Sequence, residues 1–138
     1  MSNGIAEAGL HITMDAYVAD SKVFTEESIK SMFVKLVSAL EMKMLDQPHI
    51  YEVPTDLAVL ERVKTTGKFE DEGGITGFCV ISTSHMSIHC WPLQRFFSLD
   101  AFSCKDFDSA KAIGIIREHM GIVADNVSSM NRRKPILL

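Results

Sequence analysis

The 138-residue chain is long enough for one domain with its own hydrophobic core and short for two. Apolar residues at 46% and charged residues at 23% fit a soluble globular protein, and no apolar run approaches the ~20 residues of a membrane span. The net charge of -4 argues against a nucleic-acid or membrane-surface role, since both usually need a basic face.

Gly9 to Ala19 reads as a first strand, with His11, Thr13 and Asp15 alternating with Leu10, Ile12, Met14 and Ala16. A helix follows, N-capped by Thr25, with Glu26 and Glu27 in the first turn where the helix dipole favours acids. Its apolar stripe is Ile29, Met32, Phe33, Leu36, Val37, Leu40 and Met44, a helical period that demands a sheet to lie on. Pro48 and Pro54 interrupt the next stretch, in which His49 to Val53 is strand-like and Leu57 to Val63 fits strand or helix. Lys64 to Gly74 is polar and glycine-rich and reads as a loop. Three strand-like runs come next: Ile75 to Thr83, Ser84 to Trp91, and Phe96 to Ser103. A second helix starts near Asp106 or Asp108, packs through Ala112, Ile113, Ile116 and Met120, and stops at Gly121. A last strand runs from Ile122 to Ser128, and Arg132-Arg133-Lys134 reads as a solvated tail.

The order β-α-β-β-β-β-α-β predicts an α+β two-layer sandwich: a mostly antiparallel sheet with two helices on one face, as a single domain over 1–138. The opposite face is left for a partner subunit, so a homodimer is expected. Cys79, Cys90 and Cys104 are odd in number and form no Cys-x-x-Cys pair, which suits a reducing compartment. Met1 to Ala8 has no basic region followed by an apolar stretch, so cytoplasmic location is the expectation.

Ser82 to Pro92 is the densest run of reactive side chains. Read without a family in mind, it offers several chemistries. His85 and His89 share a strand face and could act as two metal ligands, although no third is obvious. Cys90 or Cys104 could pair with a histidine as a nucleophile. The plainest alternative is a half-buried strand, with Met86 and Ile88 facing the core and Ser87 and His89 a polar side.

The run Ser82-Thr83-Ser84-His85, then Ile88-His89-Cys90-Trp91-Pro92-Leu93, resembles a signature of the small prokaryotic S-adenosylmethionine decarboxylase proenzymes. Those read Ser-Glu-Ser-His, two residues, then Ile-His-Thr-Trp-Pro-Glu. Upstream, Gly74-Ile75-Thr76-Gly77 is similar to the family's Gly-Val-Ser-Gly. Downstream, Asp100-Ala101-Phe102-Ser103-Cys104 resembles Asp-Val-Phe-Thr-Cys, and Gly9-Leu10-His11 looks like the family's opening. Residues 46–72 are longer and more divergent.

The resemblance implies self-cleavage between Thr83 and Ser84. The Ser84 hydroxyl attacks the Thr83 carbonyl to give an ester, and β-elimination then releases residues 1–83. The dehydroalanine left behind hydrolyses to a pyruvoyl group at the new N-terminus of 84–138. The resemblance makes Thr76 the hydroxyl donor to the oxyanion and His89 the base that removes the serine α-proton. In turnover the amine of a small amino-acid substrate, S-adenosylmethionine, forms a Schiff base with the pyruvoyl carbonyl, and Cys104 returns a proton to the α-carbon. Trp91 and Leu93 fall at substrate-binding positions, near the adenine and the ribose.

Ser84 and His89 are an odd number apart, so their meeting requires a bend or bulge near Ser84. Thr83 stands where the family has glutamate, and Leu93 replaces the acid that holds the ribose. A ribose diol facing leucine loses a hydrogen-bond acceptor, worth roughly 1–3 kcal/mol if buried. Two alternatives follow: a decarboxylase of another cationic amino acid such as ornithine or arginine, or an uncut, non-catalytic homologue that binds a ligand or regulates.

Overall fold

The computed structural model describes residues 7–137. The strands are β1 (Glu7–Val18), β2 (His49–Val53), β3 (Gly74–Ile81), β4 (Ser84–Trp91), β5 (Phe96–Ser103) and β6 (Ile122–Arg133). The helices are α1 (Glu26–Ala39), α2 (Leu57–Thr66) and α3 (Ser109–Met120), with a short 3-10 turn at Ser21–Val23. The strands form one sheet in the order β2-β3-β4-β5-β1-β6, and each neighbouring pair is antiparallel. The α+β sandwich expected from the element order is the fold observed.

Strand alternation sends one set of side chains to a single face: Ile12, Met14, Ala16 and Val18 from β1, Met86, Ile88 and Cys90 from β4, and Phe97, Leu99 and Ala101 from β5. Against them pack Ile29, Met32, Phe33, Leu36 and Val37 of α1 and Ala112, Ile116 and Met120 of α3. Truncating one large member of this layer, such as Phe33, to alanine costs about 3–5 kcal/mol. The Thr25 side chain accepts the Ser28 N–H at 3.1 Å and starts α1. Asp108 likewise caps α3, which Gly121 ends in the left-handed conformation at φ 66°. Among the described residues no helix is long and apolar enough to cross a membrane.

Three expectations need correction. Lys64 to Thr66 belong to α2, because Asp56 caps its start and left-handed Gly67 stops it. This third helix lies outside the α1/α3 layer: Val63 and Gly67 border a cavity with Tyr17, Trp91 and Phe96 on the opposite sheet face, which is therefore partly covered. Met44 is not on α1, which ends at Ala39; it bridges to Ile81 beside the end of β3. Arg132 and Arg133 are not a solvated tail but the end of β6, held by pairing with β1, and the Arg132 guanidinium lies 4.5 Å from the centre of the Phe102 ring.

Candidate active site

β3 and β4 form a hairpin whose turn is Ser82-Thr83, with Ile81 paired to Ser84. The turn is fixed from outside, because the Ser82 N–H donates to the Lys43 carbonyl at 2.9 Å and the Leu45 N–H to the Val80 carbonyl at 3.0 Å. On the other side Ser84 pairs with Ser103 of β5. The Cys104 N–H donates to the Thr83 carbonyl at 2.9 Å, and the Ser103 hydroxyl donates to Thr83 Oγ1, also at 2.9 Å. Thr83 and Ser103 line an open cleft of about 740 Å³ with Lys43, Lys105 and Lys111 at its rim. Gly9 closes the arrangement from β1. Its φ of 118° and the 2.1 Å separation between a built Cβ and the Ser103 carbonyl oxygen leave room only for glycine.

Cys104 is exposed, whereas Cys79 and Cys90 are buried and burial pushes both their thiols up. Of the two cysteines open as nucleophile candidates, only Cys104 is therefore accessible, and its backbone is bonded to the turn.

Thr76 and His89 face each other across β3 and β4 and share a 3.1 Å hydrogen bond between Thr76 Oγ1 and His89 Nδ1. Trp91 lies two residues on, near-parallel to the His89 ring with centroids 6.2 Å apart. The Trp91 indole N–H donates to Asp71 at 2.9 Å, and Phe69 meets the indole edge-on at 4.8 Å. The Gly73 N–H, the Trp91 indole and nearby His89 together hold the Asp71 carboxyl below its usual range. Next to this cluster, a cavity of about 360 Å³ has Tyr17, Phe69, Trp91 and Phe96 as aromatic walls and Asp15 as its acid.

The expected bend near Ser84 is absent. β4 keeps unbroken register with both neighbours from Ser84 to Trp91, so Ser84 shares parity with Ile88 and Cys90 while His89 points to the opposite face. Five residues of strand also separate them by roughly 16 Å. The site residues thus fall into two groups at opposite ends of β3 and β4: Thr83, Ser84 and Cys104 at one, Thr76, His89 and Trp91 at the other. His85 and His89 are about 13 Å apart along the strand, too far to share one metal ion.

Leu93 is half-buried in the β4–β5 turn, and its N–H and that of Gln94 donate to the two carboxylate oxygens of Glu72 at 2.8 and 2.9 Å. Asp71 and Glu72 did not stand out in the sequence. The signal available was a pair of acids ahead of Gly73-Gly74, at the end of a polar stretch that reads as a loop.

A family model described as S-adenosylmethionine decarboxylase matches residues 10–133. The chain belongs to the S-adenosylmethionine decarboxylase family. An S-adenosylmethionine decarboxylase proenzyme of Clostridium botulinum (strain Langeland) is 29% identical over 115 residues, 82% of this chain and 84% of that one. A proenzyme of the same name from Pseudomonas aeruginosa (strain LESB58) is 40% identical over 60 residues, 43% of this chain, and the match spans only 38% of the relative's length. The crystal structure of the adenosylmethionine decarboxylase from Aquifex aeolicus VF5 superposes with a TM-score of 0.69 at 21% identity, covering 92% of each chain, a likeness of fold. The residues that match S-adenosylmethionine decarboxylase motifs occupy two separated places in this chain, and the Ser84 group coincides with the end of the β3–β4 hairpin.

Proposed function

We propose that the chain is a pyruvoyl-dependent decarboxylase of S-adenosylmethionine, a single domain that cuts itself between Thr83 and Ser84 and works as a cytoplasmic homodimer. The observation that carries the reading is the scissile turn. The Thr83 carbonyl already accepts the Cys104 N–H at 2.9 Å, the Ser84 hydroxyl follows in the next residue, and exposed Cys104 stands alongside. A hydrogen-bond donor on that carbonyl stabilises the negative charge that develops when Ser84 Oγ attacks. The Thr83–Ser84 C–N bond then breaks to give an ester and a free amine. Removal of the Ser84 α-proton expels the Thr83 carboxylate, and hydrolysis of the remaining dehydroalanine releases ammonia.

A pyruvoyl group fits the start of β4, where Ser84 is half-exposed and paired with Ser103. Such a group supplies a carbonyl that takes up the electron pair left as carbon dioxide departs. Cys104 Sγ is accessible to return the proton. The aromatic walls of Tyr17, Phe69, Trp91 and Phe96, with Asp15, suit a ligand that is both planar and cationic.

The separation of Ser84 from His89 supports the dimer. A two-fold axis that sets the sheets of two protomers in opposite directions would place the Thr76–His89 end of one beside the Ser84–Cys104 end of its partner. Charge agrees with this, because the Arg132 guanidinium lies over Phe102 at the Ser84 end, and the His89 end carries Asp15 and Asp71. Three free thiols suit the reducing cytoplasm.

Intact mass spectrometry of purified protein tests the reading. Two fragments of about 9 and about 6 kDa are expected from segment length, the smaller blocked to Edman sequencing and reactive with hydrazines. A mass that stays at 15.4 kDa after days at neutral pH sinks it and favours the uncut, ligand-binding homologue. A second substrate reading, another cationic amino acid such as ornithine or arginine, is favoured by Leu93 at the ribose position and by Glu72 having both oxygens committed to backbone N–H groups.

A further inference from the structure

We infer that Ser103 is a positioning residue for self-cleavage, holding the scissile carbonyl in place through a hydroxyl-to-hydroxyl bond to Thr83. The inference deepens the self-processing reading and rests on it.

Ser103 is 1% exposed, and a hydroxyl buried to that degree needs partners. It has two: it accepts the Lys105 N–H at 3.1 Å and donates to Thr83 Oγ1 at 2.9 Å. Its backbone pairs with Ser84 on one side and with Leu10 of β1 on the other. One rigid residue thus grips both sides of the bond to be cut, Thr83 by its side chain and Ser84 by its register.

The outside bonds to Lys43 and Leu45 hold Ser82 and Val80, not the Thr83–Ser84 peptide, and a rotation of that peptide would swing the Thr83 carbonyl away from the Cys104 N–H. Tying Thr83 Oγ1 to a buried strand residue removes that freedom, so the donor is in place before charge develops. The two residues are also ones at which the chain departs from the family's motif. Thr83 stands for glutamate and Ser103 for threonine, and these two departures are hydrogen-bonded to each other.

The test follows cleavage of the full chain in a cell-free translation reaction, quenched at intervals and read by intact mass. Ser103→Ala should slow cleavage by roughly tenfold, the loss of one buried hydrogen bond. Thr83→Val, at the half-exposed turn, should slow it equally, and Ser103→Thr should restore it. The double variant Ser103→Ala/Thr83→Val should be no slower than either single one, because both break the same bond. Hydroxylamine, which cleaves an ester, should release fragments from His89→Ala but not from Ser103→Ala, whose defect precedes the ester. Wild-type cleavage with Ser103→Ala and Thr83→Val cutting at the wild-type rate, or slowing additively, overturns the inference and leaves the function standing. Wild-type protein that stays whole even in hydroxylamine overturns both.

Discussion

The indole N–H of Trp91 donates to a carboxylate oxygen of Asp71 at 2.9 Å, joining the divergent 46–72 segment to the strand that carries His89. The Gly73 N–H holds the same carboxylate, and its pKa lies below the usual value. A depressed carboxylate pKa contributes stability that is complete above the unfolded value of about 4 and fades as pH falls through the folded value beneath it. Trp91 is the only tryptophan, so its fluorescence reports the contact directly. An acid transition below pH about 4 is expected in the wild type and should vanish in Asp71→Asn. Identical titrations of the two proteins would show that the contact does not form in solution.

The proposed sharing of the site between protomers predicts complementation. Ser84→Ala and His89→Ala should each remain uncut, and Ser84→Ala should release no carbon dioxide. Co-expressed, they form mixed dimers in which one of the two sites is intact, so about a quarter of all sites should be active. A site contained in one protomer gives none, and light scattering of a monomer at micromolar concentration would also contradict the arrangement.

Leu93→Glu should lower the KM for S-adenosylmethionine by roughly tenfold, with little change in cleavage rate, by restoring an acceptor for a ribose diol. The backbone of this turn is held by Glu72, so the new acid enters a fixed frame. An unchanged or higher KM would favour the other amino-acid substrates.

Gly9→Ala should both destabilise the fold and slow cleavage. A Cβ at position 9 would lie 2.1 Å from the Ser103 carbonyl oxygen and 2.6 Å from Cys104 Cα, on backbone that cannot yield without moving the turn. A loss of at least about 2 kcal/mol is expected in denaturant melts, from strain at positive φ plus the clash. A melt and a cleavage rate equal to wild type would remove Gly9 from the account.

The layer of α1 and α3 on the sheet was legible because Ile29, Met32, Phe33 and Leu36, and likewise Ala112, Ile116 and Met120, mark one helical face that is buried. α2 was not. It buries only Val59, so a short helix carries little periodic signal, and Pro48 and Pro54 ahead of it read as breaks. β6 was predicted to end at Ser128 because its far half is exposed and polar; pairing with β1, not burial, carries it to Arg133. The seven proposed site residues stood out only as motif positions, and the odd spacing of Ser84 and His89 signalled opposite faces. A bend was the single-chain solution to that parity. The straight strand removes that solution within one chain, and the proposed meeting between protomers is nothing that one sequence displays. Ser103, Asp71 and Glu72 acquire meaning only through partners 20 to 22 residues away in sequence.

The strand order also decides what happens after the peptide is cut. Residues up to Thr83 keep β1, β2 and β3, and residues from Ser84 keep β4, β5 and β6. β1 lies between β5 and β6, so a strand of the first fragment is threaded through the second, and β3 stays laddered to β4 along its whole length. The two pieces are interlocked rather than merely adjacent. A cut protein would therefore migrate as an unbroken one in native gels and reveal its two chains only on denaturation. Once separated, they would have to find each other in a second-order step, so thermal unfolding that is reversible for the precursor would become concentration-dependent for the mature form.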